Sequence, residues 1–272
     1  MTNRQFVRPF TLPALALLIG TPTSALLAQE QEHEDASPWR ISLGLGAMHA
    51  PEYLGSGESE SNLLPLVSVR YKRFFLGGMP GSGLPGPGLG AYLYESDTFT
   101  LGAVLTSDLS DPREESDDER LRGLGDIEAT TRTGLFGSYR ADWLTLSASV
   151  LSDIGGHEQG TTVSLDAKAT YRPLQRLQLS AGPGITWGSG DYMQTFFGID
   201  QSQAAHSAYA PYEVGSGVSL LRFSVGAQYQ LADRWALGGN LTAARLQGDA
   251  ADSPIVEDRN QNSYALFLMY RF

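Results

Sequence analysis

Apolar and polar residues alternate along most of this chain with a period of two, and the alternation is sharpest at its end. In Ser263–Phe272, Tyr264, Leu266, Leu268, Tyr270 and Phe272 fall on one face, and Ser263, Ala265, Phe267, Met269 and Arg271 on the other. Successive side chains of a strand point to opposite sides. The segment therefore predicts a strand with one wholly apolar face, aromatic at both ends, and one mixed face. That is the pattern of a strand crossing a bilayer, which needs about 9–11 residues, an aromatic girdle at each interface and a partly polar inner side.

The pattern recurs upstream. Trp39, Ile41, Leu43, Leu45 and Ala47 oppose Arg40, Ser42, Gly44 and Gly46, and Val163, Leu165, Ala167 and Ala169 oppose Ser164, Asp166 and Lys168. The alternation predicts twelve strands: Trp39–Met48, Leu64–Lys72, Phe74–Gly78, Leu89–Glu95, Thr98–Ser107, Asp126–Arg140, Leu144–Ser152, Thr161–Arg172, Leu177–Trp187, Val218–Leu231, Trp235–Arg245 and Ser263–Phe272. The period is two throughout, not the 3.6 of a helix. Gly188–Gly217 is the longest irregular stretch, and Met79–Gly88 is too rich in glycine and proline for a strand interior. If the short pair beside it is irregular, ten strands remain.

Connections alternate long and short, the short ones lying at Lys72–Arg73, Ser96–Asp97, Ala141–Trp143, Pro173–Arg176 and Ala232–Arg234. An even number of antiparallel strands with short turns at one end and long loops at the other describes an up-and-down transmembrane β-barrel of the outer-membrane type. Closure removes sheet edges, which lipid does not tolerate. Both termini then fall on the short-turn, periplasmic side. The terminal Phe272 resembles the C-terminal assembly signal of bacterial outer-membrane barrels, so Tyr264, Leu266, Leu268, Tyr270 and Phe272 are read as that signal, with the assembly machinery as a partner.

The faces opposite the apolar ones carry Arg40, Arg70, Lys72, Glu128, Arg132, Arg140, Asp166, Lys168, Arg222 and Arg271. These are the candidate lumen charges. Positive groups outnumber negative ones, so the lumen either favours anions or is plugged by paired charges.

The start of the chain adds a compartment. Arg4 and Arg8 precede the apolar run Phe10–Gly20, and Ala25 and Ala28 follow as small residues. This reads as a cleaved signal peptide over residues 1–28, followed by an acidic, flexible periplasmic lead-in at 29–38 and the barrel at 39–272. The run is too short to span a bilayer as a helix. Removing residues 1–28 and their two arginines takes the formal charge from −11 to −13. A nucleic-acid partner, which needs a concentrated basic face, is excluded on that balance. With no cysteine, disulfides make no contribution to stability. Slightly negative mean hydropathy suits a barrel, where every second residue meets lipid.

Four further segments carry a family resemblance: Pro51-Glu52-Tyr53-Leu54-Gly55-Ser56, Leu124-Gly125-Asp126, Asp191-Tyr192-Met193-Gln194-Thr195-Phe196-Phe197-Gly198, and Leu246–Val256, reading LQGDAADSPIV. In this order and spacing the chain resembles the MltA-interacting protein/OmpV family of outer-membrane proteins, over nearly all of its length beyond residue 28. The glycine-rich Met79–Gly88 is expanded relative to that family. The resemblance implies an integral barrel in the outer membrane, in contact with its lipid and lipopolysaccharide. It also implies a non-enzymatic scaffold linking that membrane to peptidoglycan-remodelling enzymes, a lytic transglycosylase and a murein synthase. Other members are associated with osmotic response, adhesion and antigenicity. The alternative is a small channel or a surface receptor or adhesin with a basic lumen.

Catalytic spacing is thin. His33 lies in the lead-in, and His49 ends the first predicted strand. His157 lies near Ser152, Asp153 and Glu158, while His206 has no acid near it in sequence. A Ser152–Asp153–His157 hydrolase set is the least favoured reading, because adjacency in a loop does not provide the geometry of a triad. Asp111, Glu114, Glu115, Asp117, Asp118 and Glu119 offer oxygen ligands to calcium. Their order lacks the central glycine of the twelve-residue calcium loop, and acidic loops on such barrels more often sit beside the divalent ions of lipopolysaccharide or are simply solvated. No catalytic residue, metal site or cofactor is assigned.

Overall fold

The computed structural model describes residues 37–77, 88–108 and 112–272. The signal-peptide reading of residues 1–28 and most of the lead-in lie outside these. Twelve antiparallel strands close into a barrel in which each strand pairs with its neighbours in sequence, and the first meets the last. They are β1 Trp39–Pro51, β2 Ser59–Tyr71, β3 Phe74–Gly77, β4 Gly88–Glu95, β5 Phe99–Ser107, β6 Thr131–Ala141, β7 Leu144–Asp153, β8 Thr161–Leu174, β9 Leu177–Gly188, β10 Gly217–Ala232, β11 Trp235–Leu246 and β12 Ser263–Arg271. The ten-strand alternative is overturned: β3 and β4, though short, both pair within the wall.

The alternation decides which way each strand faces. Leu45 sits between Pro65 and Leu268 in the register, and Leu165 between Ala148 and Ile185. These apolar residues all point outward, and Leu43, Leu45, Leu135, Leu165, Phe223, Leu241 and Leu266 are exposed on the barrel exterior. In water such a surface would be a large unpartnered apolar area; in a bilayer it is the solvated face. Among the described residues no helix is long and apolar enough to cross a membrane, so the strands make the crossing.

An aromatic girdle rings the short-turn end. Trp39 packs on Tyr71 at 4.5 Å between ring centres, Phe99 on Tyr139 at 4.9 Å, and Trp235 on Tyr270 at 4.9 Å. Each pair joins neighbouring strands at one level. Two of the tight turns at this end use a non-glycine residue with positive φ, Lys72 at 53° and Asp142 at 39°.

Two boundaries differ from expectation by five residues. β2 begins at Ser59 rather than Leu64, because the polar Ser59–Asn62 and Leu63 still pair with Ala47–Pro51. β6 begins at Thr131 rather than Asp126. Ile127 instead bridges to Arg113 and is buried among loop residues, so the segment before Thr131 leaves the wall. The stretch expected to be irregular, Gly188–Gly217, holds α1 at Gly190–Phe197 and α2 at Gln201–His206, and α3 follows at Gly248–Asp252.

Candidate functional site: the loop cap and the lumen

The long connections fold into a cap with its own core. Tyr53 from the β1–β2 loop, Leu121 and Leu124 from β5–β6, Ile199 from β9–β10 and Ile255 from β11–β12 form one buried cluster. Ile127, Met193, Phe196, Phe197, Val214, Leu246, Ala250 and Ala251 form a second beside it. Four loops distant in sequence are thus held together by apolar burial, as in a small domain interior.

Local chemistry explains why these loops are ordered. Ser189 caps α1 by accepting from Tyr192 N. Asp200 and Gln203 form a reciprocal capping box on α2, two orphan amides satisfied at once. Ser253 Oγ donates to the Phe197 carbonyl at 2.6 Å, and the buried Gln261 accepts from Gly55 N at 3.0 Å. Gly123, at φ +84°, passes so near the His206 carbonyl that a Cβ there would stand 2.1 Å from it. Only glycine fits that approach.

Burial sets the electrostatics of the cap. Desolvation pushes the Tyr53 phenol well above its usual range, with Asp118 adding to the effect, and the phenol donates to Asp118 Oδ2 at 3.5 Å. The Tyr192 phenol is pushed up to about 12 by desolvation. Arg113 is buried, and desolvation lowers its guanidinium pKa; its Nη1 donates to the Phe196 carbonyl at 3.5 Å.

The acidic run serves the backbone of this cap. Asp117 accepts from Glu114 N at 2.7 Å, Asp118 from Arg120 N at 2.9 Å and Glu115 from Gly125 N at 2.6 Å. Among the described residues no three His, Cys, Asp or Glu side chains are placed to share a metal ion; Asp111 lies outside them. Ser152, Asp153 and His157 are not brought together. Ser152 Oγ bonds Thr161 Oγ1 at 2.8 Å, Asp153 accepts from Thr130 Oγ1, Gly155 N and Gln159 N, and His157 Nδ1 faces Glu128 at 2.9 Å. His206 Nδ1 lies 2.7 Å from the Ser202 carbonyl, and His49 stacks on Tyr264 at 5.9 Å.

Below the cap, the lumen holds a small apolar cluster of Phe75, Val104, Phe136 and Leu151, with Tyr92 against it. Most charges predicted for this space sit on inward positions, several of them paired. Arg132 donates to Asp108 at 2.6 Å, and Arg222 to Asp166 at 2.6 Å. Arg70 pairs with Glu95 and lies 4.3 Å from the Tyr92 ring centre. Arg40 and Arg70 are register partners, and Arg271 sits opposite Ser42 near the short-turn rim. Lys168 and Arg140 face inward on β8 and β6. Two predicted lumen charges lie elsewhere: Lys72 is exposed in the β2–β3 turn, and Glu128 is exposed in the β5–β6 loop. The partners Glu95 and Asp108 were not among the predicted lumen charges. They lie 25 and 24 residues from their arginines, and only the barrel register brings them close.

The predicted assembly residues Tyr264, Leu266, Leu268, Tyr270 and Phe272 all lie on the outer face of the seam where β12 meets β1. Phe272 N donates to the Ile41 carbonyl at 3.0 Å. Leu268, Tyr270 and Phe272 line a shallow apolar groove with Leu43, Leu45 and Trp235.

The sequence profile of the family described as MltA-interacting protein MipA matches residues 43–272. The chain belongs to this family. The MltA-interacting protein of Escherichia coli (strain K12) is 22% identical over 263 residues, covering 96% of this chain and 99% of that one. YiaT of the same organism is 21% identical over the whole of both chains. The outer membrane protein Omp26La of Vibrio anguillarum is 26% identical over 65% of this chain and 67% of its own. This MipA-family protein is an outer-membrane β-barrel. The four segments that carry its resemblance to the family all end in the cap: Tyr53, Leu124, Met193, Phe197, Leu246 and Ile255 belong to the two buried clusters.

Proposed function

We propose that this barrel is a non-enzymatic platform seated in the outer membrane, with peptidoglycan-remodelling enzymes, a lytic transglycosylase and a murein synthase, docking on its short-turn end. The observation that carries the reading is full-length similarity to a protein named for its interaction with MltA. In this reading residues 1–28 are removed on export, 29–38 form a lead-in, and both termini and the short turns face the periplasm. The folded cap faces outward, against lipopolysaccharide.

The short-turn end offers exposed Lys72, Arg73, Arg172, Arg176 and Arg234, a basic surface that complements the acidic Glu30–Asp35 of the lead-in. Contacts of this kind weaken with salt. Reversing Arg172 and Arg176 to Glu is expected to reduce capture of a lytic transglycosylase from cell envelopes, with the barrel still folded. Unchanged capture with this variant and with Glu30–Asp35 deleted would leave the reading without a surface. The second reading, a small channel or surface receptor, is favoured by the excess of inward cations, and conductance in planar bilayers separates it from the first.

A further inference from the structure

Arg140 and Lys168 stand at one level of the lumen wall on alternate strands. Arg140 of β6 pairs in register with Thr145 of β7, and Thr145 with Lys168 of β8. Neighbouring strands lie about 4.8 Å apart, so the two cations flank Thr145 with Cα atoms roughly 10 Å apart. All three residues face inward, since Leu144, Leu146, Ala167 and Ala169 take the outer positions of the same stretch. The two cationic groups lie within electrostatic reach of each other.

The wall does not answer these charges. Neither side chain makes a hydrogen bond or ion pair among the described residues. The carboxylate that acts on Lys168 is Asp166, and Arg222 already holds it, with Nε at 3.1 Å and Nη2 at 2.6 Å from its Oδ1. Gly184 lets that pair lie flat on β9: a Cβ there would stand 2.3 Å from Asp166 Oδ1 and 2.6 Å from Arg222 Nε. Two cations, Arg222 and Lys168, thus share one carboxylate, and Arg140 stands beside Lys168 as a further positive charge. Like charges gathered inside a wall, partly withdrawn from water, are unfavourable until a counter-charge joins them. The cap spans the other end of the barrel, and the short-turn mouth is rimmed by Arg40 and Arg271, which favour the approach of an anion.

We propose that Arg140 and Lys168 anchor an anion site just inside the short-turn mouth, taking a small polyvalent oxyanion that reaches both. The planar guanidinium presents paired N–H groups to two oxygens of a phosphate or carboxylate, and the ammonium serves a third as a point charge. The Thr145 hydroxyl offers a donor between them. The site is independent of enzyme docking on the short turns, and either can fail without the other.

Calorimetric titration of the folded full chain in zwitterionic detergent at low salt, with pyrophosphate in one arm and citrate in the other, tests this. Saturable binding of at least one anion is expected, and the stronger arm assigns phosphate or carboxylate chemistry. R140Q/K168Q is expected to weaken it about tenfold or more, K168R to retain it, and R172Q/R176Q at the short β8–β9 turn to leave it unchanged. Without anion, R140Q/K168Q is expected to melt no lower than the wild type, because it removes a repulsion; a purely structural role for the two residues would lower it. Absence of saturable binding by the wild type in both arms overturns the proposal, even if the double variant does not fold. Equal binding by a folded R140Q/K168Q overturns it as well.

Discussion

Leu165 and Ser164 are one step apart on β8 and face opposite media. Leu165 is exposed on the outer face, while Ser164 Oγ bonds Thr186 Oγ1 at 3.1 Å inside the lumen. An arginine at 165 has to place its charge in lipid, at about 2–4 kcal/mol near the midplane. At 164 the same side chain meets a polar interior and costs much less. Urea-dependent folding into lipid vesicles is expected to show this difference between Leu165→Arg and Ser164→Arg, and equal costs would mean that the faces are assigned wrongly. Which residues face lipid was legible in the sequence, because a period-two pattern needs only the residue's own neighbours. Which charge answers which was not. Arg132 finds Asp108 and Arg70 finds Glu95 across the wall, and Glu128, which fits the alternation of β6, sits instead in the preceding loop.

At the scale of elements, the strands were readable and the cap was not. A strand crossing a bilayer has one apolar face everywhere along it, whereas the cap takes one or two apolar residues from each of several loops. Its helices had local signals, the Ser189 cap, the Asp200–Gln203 box and apolar Met193, Phe196 and Phe197 at helical spacing, but eight residues and six residues are little for a periodicity to act on. The late start of β6 has the same origin, since Ile127 is an apolar residue recruited by the cap. Folding of the cap raises the Tyr192 phenol from 10.0 to about 12. A raised acid favours the folded state fully below its unfolded value and loses that contribution as pH rises through the folded one. The cap is therefore expected to loosen between about pH 10 and pH 12, with tyrosinate absorbance and cap proteolysis rising together. Tyr192→Phe is expected to shift cap proteolysis to higher pH, and a profile identical to wild type would show that Tyr192 does not limit the cap.

For the whole molecule, strand number, order and closure followed from counting alternating segments and connections, because an up-and-down barrel has no crossover to decipher. Closure itself rests on the last strand. β12 pairs with β1 from Ser42↔Arg271 to His49↔Tyr264, and Phe272 adds its amide to that seam. Deleting Phe272 is expected to lower the yield of folded, heat-modifiable protein in the outer membrane while leaving the already folded barrel competent. Undiminished assembly would contradict its reading as part of an insertion signal.

The long loops pack into a cap at one end of the barrel, and in the proposed function the enzyme partner docks at the other. The chain has no cysteine, so single substitutions give clean cross-linking sites: Arg176→Cys on a short turn, and Asp249→Cys on the exposed start of α3. Site-specific cross-linking in intact cell envelopes, with the adducts identified by mass spectrometry, is the most direct measurement. A lytic transglycosylase is expected to be cross-linked to Arg176→Cys and absent from Asp249→Cys. A transglycosylase adduct at Asp249→Cys with none at Arg176→Cys would contradict that docking.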